Sequence, residues 1–257
     1  MLDYDTMEWT NNLRKMLSEI EIWSQLNEHK NICKLYEVYE AEGKEKVFLR
    51  TELGEYGTLA TFHSKTRLYS LNPEIHKFAQ EKKYSEIQMT KYIFKQLAEA
   101  LSFMHAKDIC HRDIKLANVV LGMRGGELTP LYIDFNSAKK IENGENFSNT
   151  EGTLNYNSPE SVFGTEDGYC GKKADIWALG VLFYAYVYEE LPYDIKDPAN
   201  QYNYEMELNM AIKDKEPEFK KIADCYSPVI DLIKKMLIKD PKERCTIEDV
   251  LKNDLFA

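Results

Sequence analysis

Apolar residues recur at helical spacing in four stretches of the chain and form short extended runs in three others. Over residues 8–26, Leu13, Leu17, Ile20 and Leu26 fall near one helix face, with Met16 and Trp23 beside them. Residues 87–106 carry a second stripe, Ile93, Leu97, Ala100, Leu101 and Met104. The run IWALGVLFYAYVY, residues 176–188, is too short to span a bilayer and predicts a buried core helix. Residues 228–238 predict an amphipathic helix stopped by Asp240-Pro241. KVFLRTEL, residues 46–53, mixes apolar and β-branched residues without a breaker and reads as a strand. VVL at 119–121 and LYIDF at 131–135 read as two more strands. The turn between them, GMRGGELTP, looks slightly enlarged. The polar stretch 60–86, with Pro73, predicts a short helix near 58–64 and then a longer connection.

One polar run interrupts this pattern. HRDIKLANVVL, residues 111–121, places His111, Arg112, Asp113, Lys115 and Asn118 between a helical stripe and a strand. Those residue types suit phosphoryl transfer. A carboxylate such as Asp113 can accept a hydroxyl proton, and a lysine such as Lys115 can neutralise a moving phosphoryl group. The amide oxygen of Asn118 can ligate Mg²⁺, a hard cation that prefers oxygen. Asp134, about one hairpin away, is the candidate for a second metal-binding carboxylate.

Composition narrows the partners. The 257 residues hold 33 basic against 43 acidic side chains, a net charge of −10. That argues against nucleic acid or an anionic membrane as the main partner. Five cysteines are present and none forms C-x-x-C, so reduced thiols in an intracellular, cytoplasmic setting are expected rather than a disulfide framework or a zinc site. The opening MLDYDTMEW is acidic and mixed, unlike a secretory leader.

His111 to Asn118 resembles the catalytic loop of the eukaryotic protein kinases, with Ile114 in place of leucine, and Asp134-Phe135-Asn136 resembles their D-F-G. Ser158-Pro159-Glu160 resembles A-P-E. The resemblance implies an α+β fold with two lobes. Residues 1–54 would form a reduced small lobe and hinge (helix C and the family's fourth and fifth strands), and residues 55–257 a complete, mainly helical large lobe. It also implies ATP and Mg²⁺ as cofactors, a protein substrate, and phosphorylation of serine or threonine. Asp113, Lys115, Arg112 and Thr153 are then the catalytic set, with Thr153 bridging Asp113 and Lys115 as in serine/threonine kinases. Asn118 and Asp134 hold the metal. Thr51 becomes the gatekeeper, Glu52 and Gly54 offer backbone groups to adenine, Thr58 contacts ribose, and Val120 forms the floor. Phe135 should pack with His111, Trp23 and Leu35, Asp175 should accept hydrogen bonds from the catalytic-loop backbone or cap its helix, and Arg244 should pair with Glu160. His105, at the end of its helical stripe, is given no catalytic role.

Within the activation segment, residues 137–157, the usual phosphorylation position holds Asn149, flanked by Ser148 and Thr150. SNTEGT and GKKADIWALGVLFYAYVYEELPY resemble the calcium/calmodulin-dependent protein kinase kinases, which implies little dependence on phosphorylation there. Asn136 replaces the usual glycine of D-F-G, a mild change because asparagine tolerates left-handed backbone. One departure is large. No glycine precedes Gly43, and the only basic residues before Glu19 are Arg14 and Lys15. The glycine-rich phosphate loop and the lysine that pairs with Glu19, the helix C glutamate on this match, are therefore expected to be missing with the first three strands. Three accounts follow: the bulk of a kinase domain without those strands, which is the favoured one; a truncated pseudokinase acting as scaffold or allosteric partner; and a non-enzymatic module whose small lobe a partner chain completes. Upstream or partner-supplied strands are the expected partners of the small lobe.

Overall fold

The computed structural model describes residues 4–40, 46–142, 144–164, 166–196 and 200–256, with side chains from Leu13 onward. Helix α1 (Tyr4–Leu26) buries Ile22, Trp23 and Leu26 at its C-terminal end. Leu17, expected on the apolar face, is instead 54% exposed. Among the described side chains of α1, those in the core cluster or packed against it are Ile20, Ile22, Trp23 and Leu26. Trp23 Nε1 donates to the Cys33 carbonyl (2.5 Å), and its ring lies 5.5 Å from that of Phe135. Strands β1 (Leu35–Glu40) and β2 (Val47–Thr51) pair antiparallel. The connection before β1 is strapped to the rest of the molecule: Cys33 N–H donates to Tyr132 O (3.0 Å) and Tyr132 N–H to Asn31 O (2.9 Å).

The stretch expected to start as a helix near 58–64 is a β-hairpin, β3 (Ala60–His63) with β4 (Leu68–Leu71). ATFH and LYSL are rich in residues that suit a pleated surface. Arg67 closes the loop in the left-handed region (φ 57), its N–H donating to His63 O (2.7 Å). Tertiary pairing decides the outcome, since Leu59 N–H donates to Val119 O (2.7 Å) and Tyr69 N–H to Glu189 O (2.6 Å). The expected long connection also holds a helix, α2 (Pro73–Lys82). Asn72 caps it, accepting from Glu74 N–H (3.0 Å), and Pro73 sits at the first position, where its missing N–H leaves nothing unpaired.

Helix α3 (Glu86–Ala106) begins at a capping box formed by Ser85 and Gln88, and its five predicted stripe residues are all fully buried. Strand β5 (Ile109–Cys110) follows, then a single 3₁₀ turn at Leu116–Asn118. Strands β6 (Val119–Arg124) and β7 (Glu127–Tyr132) form a tight hairpin, not an enlarged turn. Gly125 and Gly126 take positive φ (61 and 80), the two-residue turn that matches strand twist, so pairing runs out to Arg124 and Glu127. Strand β8 (Lys139–Lys140) pairs with β5. The chain ends in helices α4 (Pro159–Phe163), α5 (Gly171–Tyr188), α6 (Gln201–Asp214), α7 (Ser227–Met236) and α8 (Ile247–Leu251). Helix α5 is the centre of the core. Its Phe183 ring stacks on Phe94 of α3 (3.6 Å between centroids). A Cβ at Gly180 would lie 2.8 Å from Met236 Cβ, so only glycine lets α7 approach this closely. Among the described residues, no helix is long and apolar enough to cross a membrane.

Glu160 and Arg244 form a buried bidentate pair, Nη1 to Oε1 at 2.6 Å and Nη2 to Oε2 at 2.9 Å. The remaining guanidinium protons reach the carbonyls of Ile238, Lys173 and Lys239, so all five donors are used. Removing one partner strands a desolvated charge. Arg244→Ala is expected to lower unfolding free energy by about 3–5 kcal/mol in a urea titration; a loss below about 1 kcal/mol would contradict the pairing as a structural tie.

Candidate active site

The site is built where β5, the 3₁₀ turn and the β6–β7 hairpin meet helix α5. Asp175, in the second turn of α5, lies beyond any capping position and is almost fully buried. Its Oδ1 accepts from Arg112 N–H (2.9 Å), and its Oδ2 accepts from His111 N–H (2.9 Å) and lies 3.0 Å from His105 Nε2. A buried carboxylate needs such partners. They hold Arg112 at φ 65, a backbone conformation arginine seldom adopts. Cys110 lies close to His105 and Asp175; burial, the largest cause, pushes its thiol pKa far up, so it stays protonated.

That bend presents Asp113. Lys115 Nζ donates to Asp113 Oδ2 (2.7 Å) and to Thr153 Oγ1 (2.8 Å), and Thr153 Oγ1 donates to Asp113 Oδ1 (2.8 Å). Asn118 Nδ2 donates to the Asp113 carbonyl and to its Oδ2 (both 2.9 Å). Burial opposes the Asp113 charge, but the bonds from Lys115 and Thr153 outweigh it and hold its pKa below the ordinary carboxylate value. Asp113 is therefore an anion at neutral pH, with acceptor capacity left on Oδ1. Gly152 allows this closure. At φ 86 it lies so near that a Cβ would sit 2.3 Å from Arg112 O. The sequence reading gave Gly152 no role, although it directly precedes Thr153.

Asn118 has both amide contacts on Asp113, which turns its Oδ1 the other way. Ile133 N–H donates to Asn118 O (3.0 Å), so the hairpin register brings Asp134 to the same end as Asn118. Asp134 takes φ 63, and its Oδ1 accepts from Asn136 Nδ2 (2.8 Å). Glu19 also faces this place. Burial first, and the Asp134 charge second, raise its pKa. Asp134 and the amide oxygen of Asn118 offer the oxygen donors that hard cations require.

His111 is fully buried and burial lowers its pKa, so it is neutral. Its Nδ1 accepts from Asp113 N–H (3.3 Å), which leaves Nε2–H to donate to Ile133 O (3.2 Å). Its ring lies 5.1 Å from Phe135, which in turn contacts Trp23; Leu35 is buried in the same cluster. Arg112 Nη2 donates to Asn149 O (3.0 Å) and Oδ1 (3.1 Å), and its guanidinium lies 4.6 Å from the centroid of the Phe147 ring.

The hinge residues are arranged less openly than the sequence implied. Glu52 N–H donates to Lys34 O (2.8 Å), and its carbonyl accepts from Cys33 Sγ and Thr51 Oγ1 (each 3.3 Å). Its carboxylate pairs with Arg124 (Nε to Oε1, 2.9 Å). Both backbone groups of Glu52 thus have partners within the protein, and the Gly54 carbonyl accepts from Gly57 N–H (3.0 Å). Thr58 Oγ1 donates to Ala60 O (3.1 Å), and Thr58 bridges Val120 across the backbone. Gly54 rests on Val120, with room for no Cβ (2.5 Å to Cγ2). The physical cause is the β6 strand, which draws the 56–59 backbone onto itself through Tyr56 N–H to Leu121 O (3.1 Å) and Leu121 N–H to Gly57 O (2.8 Å).

Residues 1–256 match the family model described as protein kinase domain. The chain is 31% identical over 252 residues to the serine/threonine-protein kinase PSK2 of Saccharomyces cerevisiae, covering 97% of this chain and 20% of that protein. It is 29% identical over 246 residues to a probable serine/threonine-protein kinase of Dictyostelium discoideum (96% of this chain, 26% of that one). With the Aurora/IPL1-related protein kinase 2 of Caenorhabditis elegans it shares 33% identity over 234 residues (90% and 65%). The chain thus spans a fifth to two thirds of the length of these relatives. With the matched span covering nearly every residue, the chain belongs to the protein kinase domain family.

Proposed function

We propose that the chain transfers the terminal phosphoryl group of ATP to a serine or threonine hydroxyl of a protein. The observation that carries this reading is the closed set Asp113–Lys115–Thr153, held by hydrogen bonds of 2.7–2.8 Å. Asp113 orients the acceptor hydroxyl and takes its proton. Lys115 stands beside it to stabilise charge on the moving group, and Thr153 fixes the two relative to each other. Asn118 and Asp134 would hold Mg²⁺, which when bound neutralises charge on the phosphates. Arg112 braces the activation segment. Five free cysteines support a reducing, intracellular setting.

The activation segment is braced without a phosphate. Arg112 spends its Nη2 on Asn149, Tyr169 OH donates to Asn149 O (3.0 Å), and Phe147 is buried against Tyr169 and Cys110. This supports the assignment near the calcium/calmodulin-dependent protein kinase kinases and activity independent of activation-loop phosphorylation.

A second reading, a scaffold with weak nucleotide grip, is favoured by the packing of Gly54 on Val120 and the engaged Glu52 carbonyl. The sequence supplies neither a glycine before Gly43 nor a basic partner for Glu19 outside Arg14 and Lys15. We therefore expect these 257 residues alone to turn over more slowly than a kinase domain that has both. Strands from another segment or chain would complete the small lobe. Among the described residues β1 and β2 pair only with each other, and Val38 and Phe48 are exposed.

Asp113→Asn should cut phosphorylation of a serine/threonine peptide by at least about 100-fold while Mg-ATP still raises the thermal midpoint. An unchanged rate would overturn the reading, and ATP binding without any transfer by the unaltered chain would favour the scaffold. Replacing Ser148 and Thr150 together by alanine should leave the rate within about twofold, since Asn149 already occupies Arg112; a large loss would contradict the phosphate-free brace. Glu19→Gln should raise the midpoint at pH 7 by about 1–2 °C, a gain of ~0.5 kcal/mol after allowance for solvent screening. The sign follows from linkage. A raised folded-state pKa means the contribution of Glu19 is most favourable below its ordinary 4.5 and is lost as pH rises through the folded value. The gain on substitution should therefore fade as pH falls towards about 4, and a gain that is flat with pH would refute the crowding of Glu19 and Asp134.

A further inference from the structure

The β3–β4 hairpin, which the sequence reading did not anticipate, walls a cleft of about 390 Å³ that opens directly beside Lys115 and Thr153. Phe62 and Tyr69 of the hairpin form one side, and Leu191 and Tyr204 the other. Because Lys115 and Thr153 both touch the Asp113 carboxylate, anything seated there lies next to the reacting hydroxyl.

Most polar side chains lining this cleft are already committed to partners within the protein. Arg67 makes a two-pronged pair with Asp194, with Nε to Oδ2 at 2.5 Å, and also donates to Tyr204 OH (3.2 Å). Tyr204 OH accepts from Asn155 Nδ2 (2.7 Å) and donates to Asp194 Oδ1 (3.3 Å). The hydroxyls of Tyr69 and Tyr156 pair with each other (3.0 Å). Lys115 is taken by Asp113 and Thr153. Charge is balanced as well, Arg67 against Asp194. What remains free is apolar: the Phe62 ring, 41% exposed and 5.0 Å from Tyr69, with Ala60, Ala117 and Leu191 around it. A charged side chain entering the cleft would lose water and gain no partner, whereas an aromatic or large aliphatic one would bury surface.

We propose that this cleft is a specificity subsite for a large apolar side chain of the protein substrate, within about three residues of the phosphorylated serine or threonine at 3.3–3.6 Å per extended residue. The Arg67–Asp194 tie fixes the hairpin against the 191–194 segment and so sets the width of the slot. The proposal rests on the phosphoryl-transfer reading for the identity of its ligand, but its test does not.

The test is peptide binding by fluorescence anisotropy. A serine-centred peptide of alanine and glycine carries phenylalanine at each of the three positions on either side in turn, with lysine and glutamate as comparisons. Phenylalanine at one of these positions should tighten binding about tenfold over lysine or glutamate there. Phe62→Ala, at a half-exposed position, should shrink that preference to within about twofold, and the double variant Phe62→Ala, Leu191→Ala should erase it. Equal binding of the three peptide series by the unaltered chain would overturn the subsite. So would a preference that survives both substitutions. Preference without phosphorylation of the bound peptide would keep the subsite and refute the kinase reading.

Discussion

The Asp175 carboxylate sets the geometry of the loop that carries Asp113. It is rooted in the most buried helix, α5, and it accepts two consecutive backbone N–H groups, those of His111 and Arg112. Two adjacent amides can point at one carboxylate only if the chain bends sharply between them, and Arg112 takes the left-handed backbone that this demands. The bend turns Asp113 out towards Lys115 and Thr153 while Ile114 and Leu116 stay in the core. The strain at Arg112 is offset by the packing of α5 against α3 and α7.

The same bend serves the activation segment. Arg112 leaves its backbone with Asp175 and sends its side chain to Asn149 and Phe147. Phe147 in turn fills the space above Gly171, where a Cβ would lie 2.2 Å from the ring. Gly152 then lets the chain touch the Arg112 carbonyl and deliver Thr153. Two glycines and one arginine thus couple the start of α5 to the Asp113–Lys115–Thr153 triangle. The coupling runs through contacts rather than through an added charge.

Much of the helical part of the chain was legible in the sequence because its signals are local. The buried stripe Ile93 to Met104 and the Glu160–Arg244 pair follow from periodicity or motif, and the polar run at 111–118 was visible as an interruption of the apolar pattern. The failures share a cause: the deciding partner lies far away in the chain. ATFH and LYSL become strands because Val119 and Glu189 take their flanking amides. Leu17 is exposed, while Ile22, Trp23 and Leu26 of the same helix are the residues that enter the core. The Asn72-Pro73 cap and the Gly125-Gly126 turn were readable signals, and the first marks the α2 start without reference to any partner.

The claim at the centre of this account is that Asp175, by holding two amides, places the Asp113 carboxylate for transfer. Single-turnover phosphorylation with enzyme in excess over a serine/threonine peptide reads this even when turnover is slow. Asp175→Asn keeps the shape of the side chain but replaces one acceptor oxygen by a donor, so one of the two amides loses its partner. The account predicts a transfer rate lower by about 100-fold, the cost of a displacement near 1 Å at the reacting group, with ATP affinity little changed. A transfer rate within about twofold of the unaltered chain would contradict it.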